Sequence, residues 1–277
     1  MTPDHRLLYA VVVAVTLLGS PSFLMGVILA VYWCRKRVTG LRVGAIWLVS
    51  MWLNSALKIL FHLPRPGTQS PGGLCALVEV EGYGFPSGHT MGTATMWWAL
   101  AWGIGNVRLY YGAVMSTIIV GASRLYLGAH YPADVVGGGA LGIVVAALGA
   151  WVISWWEGHG YRPRPAFVVT MAALASVGMM SGPLDEFVSK SAGFFLGFVS
   201  GGAVEPALGG VSRGAPPGVQ VLKVAAGAAL VFGASYIMKG ILPATVAGTF
   251  LRYAVMGVAA TLGAPALFRI LRLSGNG

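Results

Sequence analysis

The chain has 277 residues, of which 56% are hydrophobic and only 9% charged; soluble domains carry about 25% charged residues, so an ordinary soluble globular class is excluded. A net charge of +10 would suit a nucleic-acid partner, but the basic residues fall in short tufts between apolar runs rather than along one basic face. That pattern belongs to a polytopic membrane protein with no nucleic acid as partner.

The first apolar stretch, residues 7–18, is short for a membrane span and is cut from the next run by Gly19-Ser20-Pro21. It either extends the first helix or lies along the membrane interface. More membrane protein follows it, so it is not read as a cleavable signal peptide. A spanning helix needs about 20 mostly apolar residues, and 43–57, 90–107, 135–156 and 253–268 carry no charge. Spans are expected near 16–35, 43–62, 88–106, 108–123, 132–155, 165–183, 188–205, 219–239 and 246–268. The fold class is therefore all-α, a polytopic transmembrane helical bundle of about nine spans.

The basic tufts orient these spans. Arg35, Lys36, Arg37 and Arg42 share one loop, Arg108 marks another, and Arg162 with Arg164 a third. Arg213 and Lys223 mark a fourth, and Arg269 and Arg272 the C-terminal end. Alternate loops carry the positive charge, as cytoplasmic loops do. The 62–87 loop, the 123–133 turn and the acidic Asp185-Glu186 loop are then expected outside a cell membrane. Cys34 and Cys75 fall at opposite ends of this arrangement, which excludes a disulfide between them. The polar segment "EGHGYRPRP", residues 157–165, divides a core, 1–156, from a C-terminal transmembrane extension, 157–277. Gly193, Gly197 and Gly201 recur at small-xxx-small spacing, which lets helices approach closely. Gly137, Gly138 and Gly139 carry the same expectation.

Ionisable side chains in spans cost roughly 2.5–3.5 kcal/mol each on insertion scales, and here they gather at one depth. Lys58 ends the second span and Arg65 follows two helical turns later, pointing the same way if the helix persists; Pro64 and Pro66 favour fraying there. His89 opens the third span, Arg124 closes the fourth, and His130 and Asp134 open the fifth. Three cations, two imidazoles and one carboxylate at one level call for an anionic ligand. In "GFPSGHTMGTATMWW", residues 84–98, Pro86 fixes the turn, Ser87 is placed to cap the helix and Gly88 allows close backbone approach. The amides of that first turn suit phosphate, and His89 stands beside them with a proton to give. Pro132 suits the start of the next helix. One turn separates His130 from Asp134, so a carboxylate can fix the tautomer and leave the other ring nitrogen as a nucleophile. In-line attack on phosphorus and a phosphohistidine follow, with the cations neutralising the transferred group.

Lys58-x6-Arg65-Pro66, Pro86-Ser87-Gly88-His89 and Ser123-Arg124-x5-His130-x3-Asp134 together resemble the three-part signature of the type 2 phosphatidic acid phosphatase superfamily, which shares its site with vanadium-dependent haloperoxidases. The resemblance covers roughly 16–155. It implies a helical, metal-independent lipid phosphatase whose site faces the extracytoplasmic side. On matching positions it makes His130 the nucleophile, Asp134 its orienter and His89 the general acid. Lys58, Arg65, Ser87, the Gly88 amide and Arg124 would hold the phosphate. The lead substrate is a polyprenyl diphosphate such as undecaprenyl diphosphate, with phosphatidate or phosphatidylglycerol phosphate close behind. A phosphotransferase and a non-enzymatic anion or lipid transporter stay open beside hydrolysis. No Cys/His or carboxylate cluster has metal-ligand spacing and no glycine-rich nucleotide loop occurs, so neither metal nor cofactor is expected. His62, Glu79 and Glu81 read as interfacial or loop residues, Cys75 as a loop thiol, and Trp97, Trp98 and Trp102 as packing or lipid-facing surface.

Overall fold

The structure is a computed structural model that describes residues 3–66, 82–161, 164–181, 186–209 and 215–273, without the side chains of 3–5. Cys75, Glu79, Glu81, Arg162, Asp185 and Arg213 lie outside the described residues. All the regular structure among the described residues is helical. In order it runs α1 (Pro3–Leu17), α2 (Pro21–Cys34), α3 (Arg37–Phe61), α4 (Gly88–Ile104), α5 (Val107–Tyr126), α6 (Pro132–Gly158), α7 (Pro165–Met180) and α8 (Glu186–Val204). A 3-10 turn (Glu205–Leu208), α9 (Pro217–Ile241), α10 (Val246–Val258), a π segment (Ala259–Gly263) and α11 (Ala264–Ile270) complete it.

Among the described residues, five helical segments are long and apolar enough to cross a membrane, or six if the bent pair α1 and α2 is one span. That is fewer than the nine read from the sequence. α4 and α7 have 17 and 16 residues, at the short end of the roughly 17–25 of membrane helices. α5 is long enough, but Arg108, Arg124 and several hydroxyls dilute it. The first expected span, 16–35, is also corrected: the helix starts at Pro21, and 3–17 form a helix of their own, with a 50° bend between the two. Gly19, Ser20 and Pro21 supply the break, because proline cannot continue the preceding hydrogen-bond ladder.

The chain divides into two compact units, 1–26 with 53–154, and 27–52 with 155–277. In the first, α4 and α5 form a tight helical hairpin. Gly105 takes the left-handed conformation at the end of α4 (φ 72°), and the Asn106 side chain accepts from the Arg108 amide at 2.9 Å to start α5. The buried face of α4, Met91, Ala94, Met96, Ala99 and Ala101, is small or pliant, so α6 comes in close. Thr95 donates to Met91 O or Gly142 O, 2.9 and 3.1 Å away, joining the two helices. At Gly138 an added Cβ would stand 2.7 Å from Ser87 O. The glycines of α6 thus act in packing, and they set α6 against the first turn of α4.

In the second unit, α8 lies against α10 through the expected glycines. A Cβ at Gly193 or Gly197 would run into the Phe250 or Ala254 carbonyl, and one at Gly201 into Thr261. Small residues at that spacing let backbones touch. The π segment carries the carbonyls of Ala260 and Thr261, which accept from Trp33 Nε1 at 2.8 Å and Tyr32 OH at 2.9 Å.

Candidate active site

Every residue expected at the site lies in the first unit, and the structure brings them together. Asp134 sits in the first turn of α6 and is 3% exposed. Its Oδ2 accepts from the Tyr131 amide at 2.9 Å, capping the helix that Pro132 opens. The same oxygen lies 3.3 Å from His130 Nδ1. On the other side of the ring, Arg65 Nη1 is 3.1 Å from His130 Nε2 and also donates to Ala129 O at 3.1 Å. A guanidinium only donates, so Nε2 is the acceptor and carries the lone pair, while the Nδ1 proton faces Asp134. The pattern assigns the tautomer that in-line attack from Nε2 requires. His130 lies in the loop between α5 and α6. Burial holds its pKa down at about 4, with Arg65, Lys58 and Arg124 adding to the fall and the Asp134 hydrogen bond opposing it. The imidazole is therefore neutral at physiological pH.

Lys58 and Arg65 do not meet by helical continuity. α3 ends at Phe61, and His62 takes a left-handed φ of 50°. Both cations instead converge on the strip of backbone before the Pro86 turn. Lys58 Nζ donates to Tyr83 O at 2.6 Å and to Gly84 O at 3.3 Å, and Arg65 Nε donates to Gly82 O at 3.0 Å. Gly84 keeps the approach close there, since a Cβ would stand 3.0 Å from both Asp134 Oδ2 and Pro64 O. Burial lowers the Arg65 pKa and Asp134 opposes that fall.

Ser87 holds the N-cap position of α4, but its side chain makes no capping hydrogen bond. Its hydroxyl accepts instead from Thr90 Oγ1 at 3.1 Å, and its amide donates to Asp134 O at 3.0 Å. The cap expected from sequence is thus replaced by a tie to α6, and the Ser87 side chain leaves the first-turn amides of α4 uncapped. His89, the second residue of that turn, makes no ring hydrogen bond among the described residues and lies within electrostatic reach of Arg124, His130, Arg65 and Lys58. Lys58 is likewise within reach of Arg65, Asp134 and Arg124. Arg124 is 5% exposed, and its Nε–H is buried without a partner. Ser123, its neighbour in the signature, turns its hydroxyl back to Val120 O at 2.6 Å.

Asn54 escaped the sequence reading. It lies one turn before Lys58 on α3, 4% exposed, and donates from Nδ2 to Pro86 O at 3.1 Å. A Cβ on Gly88 would stand 3.0 Å from its Oδ1, so Asn54 and Gly88 together set the height of the turn. An amide inside the uncharged run 43–57 was the available signal. His62 rests its ring on Tyr83 (4.5 Å between centroids) and is exposed, and Trp98 packs edge-on against Tyr110. Among the described residues no three His, Cys, Asp or Glu side chains are grouped to hold a metal ion.

A helical membrane protein with two imidazoles, three cations and an uncapped helix start in one cluster is built to handle a phosphorylated group. The chain belongs to the PAP2 superfamily: that family's profile matches residues 39–158, and the profile of the PAP2 superfamily phosphatase transmembrane extension matches 189–276. It is similar to phosphatidylglycerophosphatase B of Bacillus subtilis (strain 168), 30% identical over 151 residues, 50% of this chain and 71% of that protein. It is also similar to the putative undecaprenyl-diphosphatase YbjG of Escherichia coli (strain K12), 29% identical over 129 residues, 46% of this chain and 62% of that protein. Among solved structures, the crystal structure of the first transmembrane PAP2 type phosphatidylglycerolphosphate phosphatase from Bacillus subtilis aligns with a TM-score of 0.47 and 27% identity. That alignment covers 56% of this chain and 79% of that one.

Proposed function

We propose that the protein is an integral membrane phosphatase that hydrolyses a lipid-linked phosphate or diphosphate through a phosphohistidine. The observation that carries this reading is the orientation of His130, with Nδ1 toward Asp134 and Nε2 toward Arg65. In the reaction, Arg65 transfers its donor from Nε2 to a phosphate oxygen, which frees the lone pair as the phosphate arrives. Nε2 attacks phosphorus, the P–O bond to the lipid breaks, and His89 gives its proton to the leaving oxygen. Water then attacks the phosphohistidine, with His89 as base, and releases inorganic phosphate. Lys58, Arg65, Arg124, Ser87 and the Gly88 amide hold the non-bridging oxygens, where charge stabilisation dominates the barrier. No step draws on a metal ion.

The chemistry is assigned to the core, 1–156, with 157–277 as a membrane extension that supplies none of these residues. The site is assigned to the extracytoplasmic surface, because α3 carries Arg37 and Arg42 at one end and Lys58 at the other, and basic loops stay inside. Phosphatidylglycerol phosphate and undecaprenyl diphosphate are the two leading substrates, and the longer match to the phosphatidylglycerophosphatase favours the first. Purified protein with EDTA present should release phosphate from at least one member of a panel containing both lipids and phosphatidate, and His130→Ala should release none. Phosphate appearing on an added alcohol would make the protein a phosphotransferase. Lipid movement in vesicles without phosphate release would make it a transporter.

A further inference from the structure

Arg124 is the most deeply buried of the three site cations, and an arginine that deep needs something to set its orientation. The signature supplies nothing, since Ser123 is occupied with its own helix. The partner comes from α1, ahead of the segment that the superfamily profile matches. Thr16, 8% exposed, accepts from Arg124 Nη1 at 3.0 Å. The end of α1 is pressed into place beside it. A Cβ on Gly19 would stand 2.5 Å from Val120 Cγ1, one turn before Arg124 on α5, and 3.1 Å from Thr93 Oγ1, one turn after His89 on α4. With Nη1 fixed by Thr16, the other edge of the guanidinium, Nε with Nη2, is the one left for a two-pronged grip on an oxyanion. The Nε–H of that edge is the buried donor without a partner.

We propose that Thr16 is a positioning residue for the phosphate site: it pins one edge of Arg124 so that the Nε edge faces the phosphate. Helix α1 is thereby part of the catalytic unit. The inference rests on the reading of Arg124 as a phosphate ligand.

The test uses the purified full-length protein carrying Thr16→Val, which keeps the shape and removes the hydroxyl, and Thr16→Ser, which keeps the hydroxyl. Thr16→Ala replaces the valine variant if that one does not fold. Thr16→Val should raise both KM and the inhibition constant for orthovanadate about tenfold, the scale of a hydrogen bond to a charged group, with a smaller change in kcat. Thr16→Ser should stay within about twofold of the wild type, and Thr16→Val should add nothing in an Arg124→Ala background. A valine variant equal to wild type, a serine variant as impaired as valine, or an undiminished effect without Arg124 would each overturn the proposal. A wild type without phosphatase activity would overturn the functional reading alone, because protection from thermal unfolding by orthovanadate still reports the Arg124 contact in each variant. Absence of that protection in the wild type would sink both.

Discussion

Two of the buried charge clusters, one in each unit, are arranged in opposite ways. In the second unit Glu205 is fully buried, with Arg37 Nη1 at 3.3 Å and Arg269 Nη1 at 3.9 Å from its two carboxylate oxygens. Arg37 also donates to Gly202 O at 3.0 Å. There the anion is resident, and both cations reach it from partly exposed positions. In the first unit, among the described residues, Lys58, Arg65 and Arg124 share one carboxylate, Asp134, already committed to His130 and the Tyr131 amide. Their donors rest on backbone carbonyls, His130 Nε2 and one threonine, with the Arg124 Nε–H left over. A cluster that supplies its own counter-ion suits a structural role, whereas an excess of cations suits the anionic ligand of the proposed function.

The largest expected effect breaks the second kind of cluster. His130→Ala should lower kcat by at least ~10³-fold, because a nucleophile and its partners act as one unit. Asp134→Asn should cost ~10²–10⁴-fold by spoiling the tautomer. Both are read as phosphate release, with a melting curve to show that the variants fold. An Asp134→Asn enzyme with wild-type kcat would remove the tautomer argument.

Glu205→Ala tests the other cluster. The arginines left behind are partly exposed, so the cost is that of the lost charged contacts and the space vacated, roughly 1–3 kcal/mol. The apparent melting temperature in detergent should fall by several degrees while KM, for protein that remains folded, stays at the wild-type value. A changed KM with an unchanged melting temperature would reverse the roles assigned to the two clusters.

How far the sequence reached follows from the same contrast. The six ionisable residues of the candidate site were legible because each is expensive in an apolar chain and each sits at or near the end of a helix. The glycines of α8 were legible because close backbone approach needs no particular partner. Asn54 and Thr16 were hidden, since one amide or hydroxyl in an apolar helix is cheap and its partner lies far along the chain. The convergence of Lys58 and Arg65 was anticipated for the wrong reason: the chain turns at His62, and the 82–84 backbone collects both. The bend at Gly19-Ser20-Pro21 was visible, but helix length was not, because polarity marks where an apolar run ends more sharply than how long its helix is.

A gentler perturbation follows from the charges facing His130. Burial and the three cations depress its pKa to about 4, and Asp134 works against them. In the proposed mechanism the neutral imidazole is the nucleophile, so kcat/KM should hold as pH falls through 6 and drop only toward 4. Arg65→Gln removes one of the depressing charges. The folded pKa then rises, protonation sets in earlier as pH falls, and the acid limb should move up by about half to one pH unit. Comparing the two enzymes on one lipid cancels the titration of the substrate itself, since kcat/KM profiles report groups of the free enzyme and free substrate. A limb that stays fixed or moves down would mean that Arg65 does not face the ring in solution.

The smallest effect concerns a residue that the signature includes and the geometry sets aside. Ser123 is 4% exposed and adjacent to Arg124, but its Oγ donates to Val120 O, one turn back on the same helix. A hydroxyl satisfied by its own helix has no donor left for a phosphate oxygen and offers Arg124 no hold on its orientation. Ser123→Ala removes a donor whose acceptor is already served by the helix ladder, so no buried group is left unpaired and the net cost is about 1 kcal/mol or less. Its kcat/KM should lie within about threefold of the wild type, well inside the loss expected for Thr16→Val. If Ser123→Ala proved the more damaging of the two, Arg124 would be held from its own helix after all, and α1 would lose its place in the phosphate site.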